Sequence, residues 1–140
     1  MIKILNLAAA FLAALSISAI FLTPQAVAEE TVAAEGTWTK KSFKIQGGWS
    51  IVEKDGAYVV KLDEAFRTKN APDLKIFLSP LSVSDLKNKN AIDGAVFVEK
   101  LASNKGAQTY EIPAGTDLSQ FQSIIIHCEA YTKLWGAATI

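Results

Sequence analysis

The chain has 140 residues, half of them hydrophobic, with 14 Lys+Arg against 14 Asp+Glu, one cysteine and one histidine. Its basic residues are scattered, Lys40-Lys41 being the only adjacent pair, so no electrostatic footprint for nucleic acid or anionic lipid is expected and both drop out as partners. One cysteine permits no internal disulfide, no C-x-x-C redox pair and no C-x-x-C-H haem attachment, while a single histidine rules out a two-His-one-Cys copper set.

Met1-Ile2-Lys3 gives a short positive start, and Ile4 to Leu22 is almost wholly apolar. Pro24 and the small-residue pattern Ala26-Val27-Ala28 follow, then Glu29-Glu30. This is the layout of a secretory signal peptide over residues 1–28 with an A-x-A cleavage site, so the protein is expected to be exported, to a periplasm or the medium, with no membrane attachment after cleavage. An uncleaved anchor is the competing reading, since the apolar run is nearly long enough to span a bilayer. Cleavage removes Lys3 and leaves 13 Lys+Arg against 14 Asp+Glu over 112 residues, enough for one domain with a real core. No metal site is expected, because the ligand set is too small.

Residues 29–35 read as a flexible leader, and residues 36–140 as one β-domain. Trp38 to Ile45 alternates loosely, and Gly47-Gly48 marks a turn or bulge. The stretch from Trp49 to Glu53, the Lys54-Asp55-Gly56 turn and Ala57 to Leu62 form the clearest hairpin. Asp73 to Ser79 is the next strand, stopped by Pro80. Residues 81–94 read as a loop with one helical turn near Ser84–Lys87. Strands are then expected over Ala95–Leu101, Ala107–Ile112, Gln122–Tyr131 and Leu134–Ile140, with Leu118 and Phe121 capping the core between them. About eight short strands separated by turn signals define an all-β fold, an antiparallel sandwich or barrel.

Cys128 and His127 are the candidate site residues. In a regular strand Ile124, Ile126, Cys128 and Ala130 share one face, and Ile125, His127, Glu129 and Tyr131 the other, so the two cannot act as a pair unless a bulge re-aims one. The Cys128 face reads as a core face, on which a thiol is an inert packing residue. His127 reads as half-exposed on the outer face, within reach of Glu129. Trp38, Trp49, Trp135, Tyr58 and Tyr110 have the strand spacing of core aromatics rather than of a stacking platform. Asp63-Glu64 are sequence neighbours and lend no support to glycosidase chemistry. There is no G-x-S-x-G and no phosphate-binding glycine loop, so the domain is not expected to be a stand-alone enzyme.

Several landmarks run through the domain. They are Gly47-Gly48, Phe66, Ala71-Pro72-Asp73-Leu74 leading into IFLS, Gly106-Ala107-Gln108-Thr109-Tyr110-Glu111-Ile112-Pro113, SIIIHC, and Trp135-Gly136-Ala137-Ala138. In this order they resemble the DM-thirteen domain, a small extracytoplasmic module associated with electron transfer. Glu99-Lys100-Leu101 departs from the family's Leu-Gly-x-Leu step, and Trp135-Gly136 replaces its more usual Phe-Gly. The family's characteristic cysteine falls on Cys128. The resemblance therefore implies a redox role there, as a free thiol or as a ligand to haem, with a redox partner protein in the same compartment. On this reading Cys128 is both the redox and the cofactor-binding candidate, with His127 a further haem-ligand candidate. The alternative is a non-redox binding or structural module in which Cys128 only packs.

Overall fold

A computed structural model describes residues 18–27 and 29–140 of the chain. Most of the expected signal peptide, including Ala28 at its cleavage site, lies outside the described residues. Residues 18–27 have no regular secondary structure and leave Ile20, Phe21, Leu22 and Val27 almost wholly exposed. Among the described residues no helix is long and apolar enough to cross a membrane.

The domain is an antiparallel β-sandwich. One sheet contains β1 (Thr31–Thr37), β4 (Gly48–Lys54), β5 (Ala57–Leu62) and β9 (Gln108–Glu111), in the order β1-β4-β5-β9. The other contains β2 (Thr39–Lys40), β7 (Leu74–Ser79), β8 (Val96–Lys100), β10 (Ser123–Cys128) and β11 (Lys133–Thr139), in the order β2-β11-β10-β7-β8. A short ribbon pairs β3 (Ile45–Gln46) with β6 (Arg67–Thr68). The only helices among the described residues are two short 3-10 segments, Leu118–Gln120 and Glu129–Tyr131.

Eight strands have four or more residues, the number read from the sequence, but two of the expected segments differ. Residues 29–35 are not a frayed leader, because Thr31–Thr37 pairs with β4 as the edge of the first sheet. Glu30 helps to tie its start, bridging Lys54 at 3.6 Å and hydrogen-bonding Lys61. The long strand expected from Trp38 to Ile45 is split. Trp38 crosses between the sheets, and Gly47 then turns the chain at φ 91° against the backbone of Phe66. In the β4–β5 hairpin both Asp55 (φ 53°) and Gly56 (φ 76°) adopt the left-handed conformation, as the tight turn requires.

The main core lies between the sheets. Trp49, Ile51, Val60, Leu62 and Tyr110 of the first sheet meet Leu74, Ile76, Leu78, Val98, Ile124, Ile126 and Cys128 of the second, with Trp38 and Phe66 among them. Gly36 stands opposite Trp49, and a Cβ there would lie 3.4 Å from the indole, so the ring covers an edge-strand glycine. The indole N–H groups of Trp38 and Trp49 are buried without a hydrogen-bond partner.

A second apolar cluster lies on the other side of the five-stranded sheet. Phe77, Ile125, Leu134 and Ala137 are covered there by Leu86 and Ala91 of the 81–95 segment. That segment forms no helix beyond a single turn close to the expected place, where the Asp85 and Leu86 amides donate to the Ser82 carbonyl at 3.0 and 3.2 Å. It is pinned by side-chain bonds, with Lys41 Nζ donating to the Val83 carbonyl (2.5 Å), Ser123 Oγ to the Leu81 carbonyl (2.8 Å) and the Leu134 amide to Asn88 Oδ1 (2.9 Å). Strand β10 is consequently buried along both faces, and all six of its residues are inaccessible.

The glycine geometry predicts two different costs. Gly47→Ala is strained and would also place a Cβ 2.5 Å from the Phe66 nitrogen; its expected loss is about 2–4 kcal/mol. Gly106 has a similar φ of 87° but nothing within 4 Å of the added carbon. Its alanine variant should lose only about 1–2 kcal/mol. Urea unfolding of the two variants beside the parent protein measures the difference.

Candidate functional site

Cys128 is the last residue of β10 and has no exposed surface. Its thiol belongs to the core between the sheets, with Ile126 and Ile124 two and four positions back. The strand ends there, so Ala130 does not continue the core face as expected; it lies exposed in the following 3-10 turn. Every residue from Glu129 to Lys133 is exposed. Cys128 thus stands at a sharp boundary, buried itself but one bond from a solvated turn.

That turn is clamped by the segment before β7. Asp73 Oδ2 accepts from the Ala130 amide at 2.9 Å, and the Asp73 carbonyl accepts from the Glu129 amide at 3.3 Å. Lys75 Nζ lies 2.6 Å from Glu129 Oε2 and 3.3 Å from Asp73 Oδ1. The two carboxylates, Glu129 first, raise the Lys75 pKa. Thr132 closes the turn at φ 49°, an unfavourable conformation for a β-branched residue. The Pro72-Asp73 landmark, which gave no functional signal in the sequence, is therefore what holds the chain beside the cysteine.

His127 is 1% exposed, not half-exposed as expected. It projects to the covered side of the sheet, edge-on to Phe77 with ring centroids 6.4 Å apart. The 81–95 segment closes over this face, which strand alternation alone could not foresee. Glu129 has left the strand and pairs with Lys75, so the expected His127–Glu129 pair does not form. His127 Nδ1 is buried without a partner. A bulge does occur here, with Trp135 as the extra residue between the Ile126–Gly136 and His127–Leu134 pairs. It lies in β11 and leaves His127 and Cys128 on opposite faces, so they form no catalytic pair.

Haem does not fit this arrangement. The macrocycle needs an open slot at its axial ligand. Three surface clefts, around Trp49, Phe43 and Phe66, are lined by neither Cys128 nor His127. The two side chains also face opposite sides of one sheet.

The remaining landmarks are structural. Gln108 clamps the Ser103–Gly106 turn, accepting from the Ser103 amide at 3.0 Å and donating to the Ser103 and Gly106 carbonyls at 3.0 and 3.1 Å. The Tyr110 hydroxyl donates to Gln108 and accepts from the Ala102 amide at 2.8 Å, and burial raises its pKa. Trp135 donates to Thr68 Oγ1 at 2.8 Å. Trp38, Trp49, Trp135 and Tyr110 are core residues, as their spacing predicted.

An all-β sandwich with one buried cysteine at the end of a doubly covered strand is a small β-module without an open catalytic pocket at its thiol. The chain matches the family described as electron transfer DM13 over residues 37–140, and it belongs to that family. No curated protein and no solved structure gives a significant match to it.

Burial lowers the His127 pKa below its ordinary value of 6.5, more than the charges of Glu129 and Asp73 raise it. The folded state therefore favours neutral imidazole. Below pH 6.5 the unfolded chain binds the proton first, so stability falls as pH drops toward the lower folded value. His127→Leu should flatten this part of the stability–pH curve, which thermal melts between neutral and mildly acidic pH will show.

Proposed function

We propose that the protein is an exported electron-transfer domain whose redox group is the Cys128 thiol. The thiol is held buried in the resting fold and becomes reachable when the Glu129–Lys133 turn opens, for exchange with a partner protein in the same compartment. The observation that carries this reading is the position of the only cysteine, at the last buried residue of β10 beside an exposed turn held by a few polar contacts. Family membership supports the electron-transfer setting. Local opening of such an element requires far less than global unfolding, and the released thiol, as thiolate, can attack a disulfide of the partner, forming a mixed disulfide as the partner's other sulfur leaves as thiolate.

A second reading has its own observation in the complete burial of Cys128 among Ile124, Ile126 and their neighbours. On that reading the domain is a binding or structural module and the thiol only packs.

Asp73→Ala separates the two. It removes the acceptor for the Ala130 amide at an exposed site, so it should accelerate modification of the native Cys128 by a thiol reagent several-fold with little change in the urea midpoint. Modification that is undetectable in both proteins until they unfold would discard the redox reading.

Truncation of the thiol tests packing independently. Cys128→Ala should cost about 1–2 kcal/mol as a small cavity. Cys128→Ser should cost more, because its hydroxyl would be buried without a partner. Denaturant unfolding measures both, and a serine variant as stable as the parent would contradict the burial.

A further inference from the structure

We propose that the outer face of the β3–β6 ribbon is a binding site for a small multivalent oxyanion, a polycarboxylate or an organic phosphate. The basic residues that lie scattered in the sequence are gathered here by the fold. Gln46 pairs with Arg67, and Arg67 forms a bridge on its other side to Lys105. Where Ile45 and Thr68 turn inward and are buried, the flanking Lys44 and Lys69 are exposed on the same outer side as Arg67.

Cations directly opposite one another on neighbouring strands repel. None of Lys44, Arg67, Lys69 and Lys105 forms an ion pair among the described residues, although Lys54, Lys61 and Lys75 elsewhere do. Glu64 is the single carboxylate bordering the group. In a chain with equal numbers of acidic and basic residues, four cations beside a single carboxylate form a local positive field.

The surface is concave and firmly supported. A cleft of about 390 Å³ is lined by Lys44, Arg67 and Lys69, and an adjoining one of about 550 Å³ by Arg67 and Lys105. Lys69 Nζ stands 5.2 Å over the Phe43 ring, which stacks on Trp135 at 3.9 Å. Thr68 Oγ1 accepts from the Trp135 indole and donates to the Lys44 carbonyl at 3.0 Å, joining both sides of the ribbon to the core. Among the described residues the Arg67 side chain makes no hydrogen bond or ion pair, so its guanidinium can engage a carboxylate or phosphate through two parallel bonds. Concave shape and short spacing favour a compact ligand over a broad acidic protein surface. This site is separate from Cys128, and its test does not depend on any redox role.

The test is titration of the full domain with citrate, pyrophosphate and a poly-glutamate peptide at low ionic strength, followed by amide NMR and calorimetry. Saturable binding of citrate or pyrophosphate is expected, with the shifts centred on residues 44–46, 67–69 and 105–106. Relative affinity for the two distinguishes a carboxylate from a phosphate ligand. The combined Arg67→Gln and Lys69→Gln variant should weaken binding at least about tenfold, and Lys105→Gln alone should weaken it less. Lys54→Gln, at the far end of the β4–β5 hairpin, should leave it unchanged. Unaltered indole shifts for Trp49, in the core between the sheets, will show that the variants remain folded. Three outcomes overturn the proposal: no binding of either small anion, binding indifferent to Arg67 and Lys69, or binding of poly-glutamate alone.

Discussion

The burial of β10 on both faces is the constraint on which the rest of the structure depends. Ser123 to Cys128 pairs with β7 on one side and β11 on the other, while the sandwich core covers one face and the 81–95 segment the other. A strand with no solvent face can be apolar at every position, and SIIIHC is nearly so. The polar members adapt to that setting. Ser123 donates to a loop carbonyl, whereas His127 leaves one ring nitrogen unpartnered. An unpaired buried nitrogen opposes folding, and most strongly when the imidazole is charged. The strand is thus held by packing, with His127 as its polar weak point.

The landmarks that place the chain in its family are mostly devices for holding turns. Gly47 lets the backbone pass against Phe66, Gln108 and Tyr110 lock the turn into β9, and Trp135 fixes β11 to the ribbon. Asp73 holds the turn that follows Cys128 and so bears on the function proposed for that thiol. A family cysteine in a closed core and a family aspartate on its exposed flank together suit a thiol whose accessibility is controlled by a local structural element. They do not suit an open, permanently reactive site.

Much of this was legible in the sequence. The Asp55-Gly56 hairpin, the stop at Pro80, the core aromatics and the opposite orientation of His127 and Cys128 all follow from strand period and turn chemistry. What escaped depended on contacts between distant segments. Alternation identified His127 as outward-facing but could not say that residues 81–95, a polar-looking loop containing Leu86 and Ala91, would fold over it. The leader residues Thr31 to Glu35 have weak patterning because only an edge partner, β4, makes them a strand. Arg67 and Lys105 are far apart in sequence, so their adjacency is visible only in the fold.

The central claim is that Cys128 becomes accessible by opening of its adjoining turn rather than by unfolding of the domain. The most direct measurement is the rate of Cys128 modification across urea concentrations well below the unfolding transition. A rate nearly independent of urea is predicted there, because opening a short exposed turn uncovers little surface. A rate that rises with the full urea dependence of global unfolding would contradict the account, and would leave the thiol as a residue of the core.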